Sequence, residues 1–123
     1  MLLIGVDIID IERLKEVASR TPRFLQRVFT AQELEYCMKK KNPYPSLAAR
    51  FAAKEAIRKL DEIFVTGVRF HDVEVIIEKT GKPAIVLHGE VAVNAIDNGI
   101  CDLNVSLSHS REQAVAVVCA NRR

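Results

Sequence analysis

The stretch RFAAKEAIRKL at residues 50–60 is the part of the sequence that most restricts the fold. It is rich in alanine, lacks glycine and proline and has a single β-branched residue, so it predicts a helix. At about 100° per residue, its apolar and charged side chains separate onto two arcs. The apolar arc holds Ala49, Ala53, Ala56, Ile57 and Leu60, and the charged arc holds Arg50, Lys54, Glu55, Arg58 and Lys59. Because alanine lets a neighbouring element approach closely, we expect a core helix.

Two large apolar side chains interrupt the charged arc. Leu47 and Phe51 project on that side, so we expect another element or another subunit to cover part of it. The alternative is a solvated surface, which is the usual role of a face rich in lysine and glutamate. A second carboxylate brought to Glu55 from elsewhere in the chain would favour a functional site.

The length of 123 residues corresponds to one domain spanning residues 1–123. A net charge of +2 is too small to indicate a nucleic-acid-binding protein. Basic residues are nevertheless concentrated in the first third of the chain, which predicts a local surface for an acidic partner or for phosphates. They are Arg13, Lys15, Arg20, Arg23, Arg27, Lys39, Lys40 and Lys41.

The cysteines and the apolar runs indicate a compartment. Cys37, Cys101 and Cys119 are odd in number and lack metal-ligand spacing, so the sequence supports neither a disulfide framework nor a zinc site and favours reduced thiols. Neither a cleavable leader nor an apolar stretch of transmembrane length is present. We therefore expect a soluble cytoplasmic protein that binds no membrane.

The order of predicted elements indicates an α+β fold. Residues 2–6 predict a buried strand that ends at Asp7, and Gly5 within it indicates that some other group approaches the backbone closely there. A first helix is expected at 10–20 with Asp10 as its N-cap, and a short second helix is expected to begin at Pro22. A third is expected at 31–40, because Thr30 and Glu33 have capping-box spacing. Ser46 is expected to cap the central helix. The second half predicts strands at 73–77, 84–87, 103–107 and 114–119 and a helix at 89–97. This order predicts a small, mostly antiparallel sheet packed against helices.

Two carboxylates carry the functional hypothesis. If the first strand and the central helix are neighbours, Asp7 and Glu55 meet in a cleft near Arg50, Lys54 and Lys59. Two like charges are costly unless a cation neutralises them, and Mg²⁺ takes one or two protein carboxylates with water and phosphate oxygens. The nearby cations would bind the remaining phosphate charge. The arrangement indicates an enzyme that acts on a diphosphate or nucleotide.

Four motifs resemble one family in order and spacing. They are GxDIxDIxR from Gly5 to Arg13, ARFAAKEA from Ala49 to Ala56, the Gly81-Lys82-Pro83 turn, and VSLSHS from Val105 to Ser110. The whole chain resembles the holo-acyl-carrier-protein synthases, small bacterial members of the phosphopantetheinyl transferase superfamily. The resemblance implies transfer of phosphopantetheine from coenzyme A to a serine of apo acyl carrier protein, with release of adenosine 3′,5′-bisphosphate.

The same resemblance implies roles for individual residues. Asp7 and Glu55 match the family's Mg²⁺ ligands, and with Lys59 they are the candidate catalytic residues. Positions near the coenzyme A phosphates match Arg50, Lys54 and Lys59. The adenine-side loop matches Gly81, Lys82 and Pro83, and a position near the nucleotide matches His109. Family members form homotrimers with active sites between subunits, which would account for Leu47 and Phe51.

Two further roles follow from the chemistry. The acceptor hydroxyl needs a proton acceptor, for which Glu55 acting through water is the first candidate and Glu33 a weaker one, since Glu33 also fits helix capping. Carrier proteins are acidic, so the arginines of the first two helices would form their docking surface and raise the association rate. These are Arg13, Arg20, Arg23 and Arg27; solubility alone is the alternative role for each.

Three positions depart from the family pattern. Ala49 replaces a glycine, Gln113 replaces an aromatic residue, and residues 61–67 replace a glycine-rich segment, which leaves the shape of that loop open. Two other classes of function remain. One is a basic RNA- or protein-binding module, although only Tyr36 and Tyr44 lie among its basic residues; the other is a silent oligomeric scaffold, in which Asp7 and Glu55 would be dispensable.

Overall fold

A three-stranded antiparallel sheet and one long helix form the centre of the molecule. The computed structural model describes all residues from Met1 to Arg123. The helices are α1 (Ile11–Arg20), α2 (Phe24–Val28), α3 (Ala31–Met38), α4 (Tyr44–Arg58) and α5 (Gly89–Asp97). The strands are β1 (Leu2–Asp10), β2 (Val73–Ile77), β3 (Pro83–Leu87), β4 (Ile100–His109) and β5 (Gln113–Arg122). This architecture confirms the α+β class.

The sheet has the strand order β1-β5-β4, and β2 and β3 form a separate hairpin. Pairing sets Leu3 opposite Ala120, Gly5 opposite Val118 and Asp7 opposite Ala116. Directly opposed residues share a face of a sheet, and successive residues alternate between faces. The inner face of β1, defined by Leu3, Gly5, Asp7 and Ile9, therefore lies toward α4. Its outer face is defined by Leu2, Ile4, Val6 and Ile8.

Helix α4 packs on the inner face of the sheet through small side chains. Ala52, Ala53 and Ala56 are completely buried, and the facing positions of β5 are largely alanines as well. Gly5 marks the tightest approach, because a Cβ added there would stand 2.2 Å from the carbonyl oxygen of Ala56. This confirms the close approach predicted at Gly5 and identifies the neighbour as the backbone of α4.

Strand β1 is longer than predicted. It continues through Asp10, so Asp7 lies within the strand and not at its end. The prediction was wrong because it ended the strand at the first charged residue. The alternation in fact continues, with Ile9 on the inner face packed against the core.

Local signals gave the starts of α1 and α3 but not those of α2 and α4. Asp10 caps α1 by accepting a hydrogen bond from the N–H of Arg13, and Thr30 and Glu33 form the predicted capping box of α3. Ser46 does not cap α4, which begins at Tyr44 with Pro45 in its first turn, where a missing N–H costs nothing. Pro22 lies in the turn before α2 and not within it.

Leu47 and Phe51 are covered by other elements of the same chain, which is the first of the two expected kinds of cover, so a second subunit is not needed to account for them. Leu47 is fully buried, and Phe51 packs between Phe24 and Phe70 with ring centroids 6.3 and 5.6 Å away. The uncovered apolar surface lies elsewhere, on the outer face of β1, whose four side chains are 50–61% exposed. No helix has the length and apolar character needed to span a bilayer.

Candidate active site

Asp7, Glu55 and Lys59 come together where the middle of β1 passes the C-terminal half of α4. The Lys59 Nζ donates a hydrogen bond of 2.8 Å to Asp7 Oδ1. Glu55 lies one turn before Lys59 on α4, and its Oε1 is 3.9 Å from the guanidinium of Arg58. The side chains of Asp7 and Glu55 are 14% and 26% exposed, so both carboxylates remain open to solvent on one side.

The charges at this site act on one another. The hydrogen bond to Asp7 raises the pKa of Lys59, and the nearby charges of Asp7 and Glu55 raise it further. Both carboxylates are therefore neighbours of the same ammonium group. The donor set fits a hard divalent cation that takes few protein ligands, because such ions accept one or two carboxylates and fill the rest of the shell with water and phosphate oxygens.

Lys54 is a correction to the predicted phosphate ligands. Its side chain is fully buried, and its Nζ donates to Glu33 Oε1 at 2.8 Å and to the carbonyls of Phe70 and Val73. An ammonium has three donors, and all three are used here. Burial lowers the pKa of Lys54, against the opposing pull of Glu33. This lysine is not available to coenzyme A.

Arg50 is also more enclosed than the charged arc predicts. Its guanidinium stacks on the ring of Tyr36 at 4.7 Å and its Nη1 donates to the carbonyl of Ser46. Only 4% of the residue is exposed, and its Nε has no hydrogen-bond partner. The arc therefore divides into Glu55, Arg58 and Lys59, which reach solvent, and Arg50 and Lys54, which do not.

Glu33 is not placed to accept a proton from substrate. Its Oε1 accepts the N–H of Thr30 at 2.9 Å as well as Lys54, and its Oε2 accepts the N–H of Val75 at 2.9 Å. The residue is 1% exposed. The T-x-x-E spacing predicted the capping bond, but no local signal predicted the bonds to Lys54 and Val75.

The comparisons with known proteins identify the family. Residues 3–118 match the model of the 4′-phosphopantetheinyl transferase superfamily. The chain belongs to this superfamily. It is 44% identical over 117 residues to the holo-[acyl-carrier-protein] synthase of Moorella thermoacetica, covering 95% of this chain and 91% of that protein. It is 39% identical over 119 residues to the synthase of Caldanaerobacter subterraneus, covering 97% and 94% of the two chains.

A solved structure of the same superfamily has the same fold. The Chronobacterium ammoniagenes ACPS–CoA complex aligns with a TM-score of 0.88 at 28% identity, covering 100% of this chain and 98% of that one. The α+β arrangement of sheet and helices is therefore the fold of a coenzyme A-binding relative.

The other predicted site residues, Gly81, Lys82, Pro83 and His109, lie on elements other than those that carry Asp7 and Glu55. Gly81, with φ of 88°, forms the tip of the β2–β3 hairpin, and Lys82 and Pro83 line a cleft of about 390 Å³ beside the outward-facing Ser106 and Cys119. His109 is exposed at the end of β4. Within one chain, no hydrogen bond or ion pair links these residues to Asp7 or Glu55.

A second cleft of about 470 Å³ opens between β1, α1 and α2. It is mostly apolar, and Arg13 lies at its border with Phe24 and Phe51 on its wall. Arg20, Arg23 and Arg27 are exposed on the same two helices. Sequence reasoning found the arginines and missed the apolar wall, which forms only when Phe24 and Phe51 meet across α2 and α4.

Proposed function

We propose that the chain, acting as one domain over residues 1–123, transfers the 4′-phosphopantetheine group of coenzyme A to a serine of apo acyl carrier protein and releases adenosine 3′,5′-bisphosphate. The relatives named holo-[acyl-carrier-protein] synthase support the reaction, and the relative solved with coenzyme A supports the donor. The observation that carries the proposal is the convergence of Asp7, Glu55 and Lys59 between β1 and α4.

Asp7 and Glu55 would hold Mg²⁺ through their solvent-facing oxygens. The bound ion would supply charge neutralisation at the pyrophosphate of coenzyme A. Lys59, whose side chain is 58% exposed, can reach a phosphate oxygen and offset the negative charge on the leaving bisphosphate. Glu55 is the candidate to accept the serine proton through a water molecule, since Glu33 is fully occupied in the core.

The cleft between β1, α1 and α2 is the proposed docking site for the carrier protein. Its apolar wall offers a contact for a helix face, and Arg13 at its border, together with the exposed arginines of the two neighbouring helical segments, suits an acidic surface. Charges at the edge of an interface mainly accelerate association, whereas buried apolar contacts set the dissociation rate. Arg13, Arg20, Arg23 and Arg27 would therefore act on the encounter with the carrier.

The outer face of β1 is the proposed contact between subunits of a homotrimer. Leu2, Ile4, Val6 and Ile8 form an exposed apolar strip on an edge strand, which is unusual unless another chain covers it. Assembly of this kind would also account for the distance of the hairpin from Asp7. Gly81, Lys82, Pro83 and His109 would then contact the nucleotide across the subunit boundary, whereas the buried Arg50 would not. The three free cysteines fit a reducing cytoplasm.

The test is to incubate the protein with coenzyme A, Mg²⁺ and apo acyl carrier protein and to weigh the carrier by mass spectrometry. We expect a gain of one phosphopantetheine that is abolished by EDTA and by Asp7→Asn or Glu55→Gln. Glu35→Gln is the matched control, because Glu35 forms only an exposed pair with Lys39. Transfer that persists in Asp7→Asn, or without divalent metal, would contradict the proposed site.

A further inference from the structure

A saturated ion pair lies in the core directly behind the candidate active site. Both oxygens of Glu33 and all three donors of Lys54 have protein partners, and neither side chain is exposed. Buried ion pairs contribute little net stability compared with apolar packing, because desolvation offsets the attraction. Their best-attested use is to select one arrangement of the elements that they join.

This pair joins four segments. Glu33 ties the start of α3 to β2 through Thr30 and Val75, and Lys54 ties α4 to the segment from Phe70 to Val73. Arg58 of α4 bonds nearby, to the carbonyl of Val68, but that residue reaches solvent, whereas Lys54 is the α4 side chain bonded to Phe70 and Val73. The bonds are directional, so they resist rotation of α4 as well as its separation from β2.

The surface of α4 that faces the sheet offers little resistance to rotation. It consists mainly of Ala49, Ala52, Ala53 and Ala56, and it rests on the alanines of β5. Small side chains do not interlock as large ones do. An alanine interface therefore leaves much of the rotation of α4 to its other contacts, which include buried Ile57, the Lys59–Asp7 hydrogen bond and the bonds of Lys54.

We propose that Glu33 and Lys54 are positioning residues that set the rotation of α4 and thereby direct Glu55 toward Asp7. Lys54 and Glu55 are consecutive, so they point about 100° apart around the helix axis. Anchoring Lys54 on the side of α3 and β2 leaves Glu55 on the side of Lys59 and Asp7. The importance of this direction for catalysis rests on the proposed function, whereas the direction itself does not.

The decisive variant replaces both charges, Glu33→Leu with Lys54→Met, because neither charge of the pair is then left unpaired in the core. Its unfolding transition is measured first, since the N–H of Val75 and the carbonyls of Phe70 and Val73 lose their partners. Nuclear Overhauser contacts between the α-protons of Gly5 and Ala56 report the placement of α4 against β1 without substrate or metal. We expect these contacts to weaken or shift. Mn²⁺ affinity should fall roughly 10–100-fold, as when groups that orient metal ligands are lost. The KM for coenzyme A should stay unchanged while kcat falls.

The matched control is Glu74→Gln. Glu74 is buried and accepts a hydrogen bond from Thr30, as Glu33 does, but it makes no hydrogen bond to α4 and its charge acts on Lys54 only through space. It should lower stability while the Gly5–Ala56 contacts and the metal affinity stay at parental values.

Two outcomes would overturn the proposal. One is a folded double variant with parental Gly5–Ala56 contacts, which would reduce the pair to a stabilising role. The other is a rise in the KM for coenzyme A in Lys54→Met that is absent in Glu33→Gln, which would make Lys54 a phosphate ligand. If the parent neither binds Mn²⁺ nor transfers phosphopantetheine, the proposed function fails, and the Gly5–Ala56 contacts still decide the positioning role.

Discussion

Gly5 of β1 and Ala56 of α4 meet so closely that a Cβ on Gly5 would stand 2.2 Å from the Ala56 carbonyl oxygen. The obstacle is backbone on both sides, so no flexible side chain can yield. We expect Gly5→Ala to lower the free energy of unfolding by roughly 1–3 kcal/mol, the usual cost of overpacking, and to lower activity by displacing α4 from Asp7. Urea denaturation and the transfer assay measure the two effects.

The control for this change is Gly67→Ala. Gly67 has φ of 78° and nothing within 4 Å of an added Cβ, so alanine there introduces only backbone strain. It should lower stability without a comparable loss of activity. Equal losses of activity in the two variants would contradict the importance of the Gly5–Ala56 contact.

Lys59→Met should reduce kcat by about 10²–10³-fold, since it removes a charge from the place where the leaving group becomes negative. The KM for the carrier should not change, because Lys59 lies outside the proposed docking cleft. Steady-state kinetics measure both parameters. Lys39→Met removes the same charge from an exposed pair with Glu35 and should behave as the parent does. A parental kcat in Lys59→Met would exclude the proposed role.

Arg13→Glu should lower kcat/KM for the carrier by about tenfold at low salt, because reversal of a charge at the cleft slows an electrostatically assisted encounter. The effect should diminish as salt rises, and the KM for coenzyme A should be unchanged. Arg69→Glu reverses an exposed charge away from the cleft and serves as the control. An equal loss in both variants would indicate a general effect of net charge instead of docking.

Ile4→Asp should dissociate the proposed trimer, because it sets a charge in the middle of the exposed apolar strip of β1. Light scattering would show a shift toward the mass of one chain, and activity would fall with it. Val93→Asp is the matched control, since Val93 is 56% exposed on α5 and Ile4 is 58% exposed. A parent that is itself monomeric would refute the assembly.

Asp61→Asn should destabilise the protein at neutral pH and have no effect in strong acid. Arg122 donates a hydrogen bond to Asp61 and lowers the pKa of that carboxyl, and their side chains are 2.8 Å apart. Because the pKa is lower in the folded chain, this contribution is complete above the unfolded pKa, near 4, and is lost as pH falls through the folded value. Thermal unfolding of parent and variant should differ at pH 7 and converge in strong acid, below the lowered pKa of Asp61. Glu78→Gln changes an exposed carboxylate and is the control. Its thermal unfolding should match that of the parent at both pH values.

The sequence predicted those features that depend on neighbouring residues. Asp10, Thr30 and Glu33 cap helices through contacts three residues away, so their spacing was sufficient evidence. The contact between the strand of Asp7 and the central helix could also be predicted, because Gly5 indicated a close neighbour two residues earlier in the strand. The roles of Asp7, Glu55 and Lys59 in catalysis remain predictions.

The features that sequence reasoning missed depend on distant segments. Lys54 lies on an arc that reads as charged and exposed, and only the fold brings the carbonyls of Phe70 and Val73 to it. Phe51 appeared to need a second subunit because Phe24 and Phe70 are far away in the chain. The exposed strip on β1 could not be predicted for a related reason. In a run of apolar residues, the sequence alone does not show which of the two faces of the strand is covered.

Alternation along β1 has one more consequence, for folding. If β1 paired with β5 one residue out of alignment, the faces would exchange, so that Ile4 or Val6 would replace Gly5 beside Ala56. No side chain fits in that place, and the misaligned strand could not close against α4. Errors in strand pairing would therefore leave unfolded chains, which cells can degrade. They would not give a folded population with Asp7 on the outer face of the sheet.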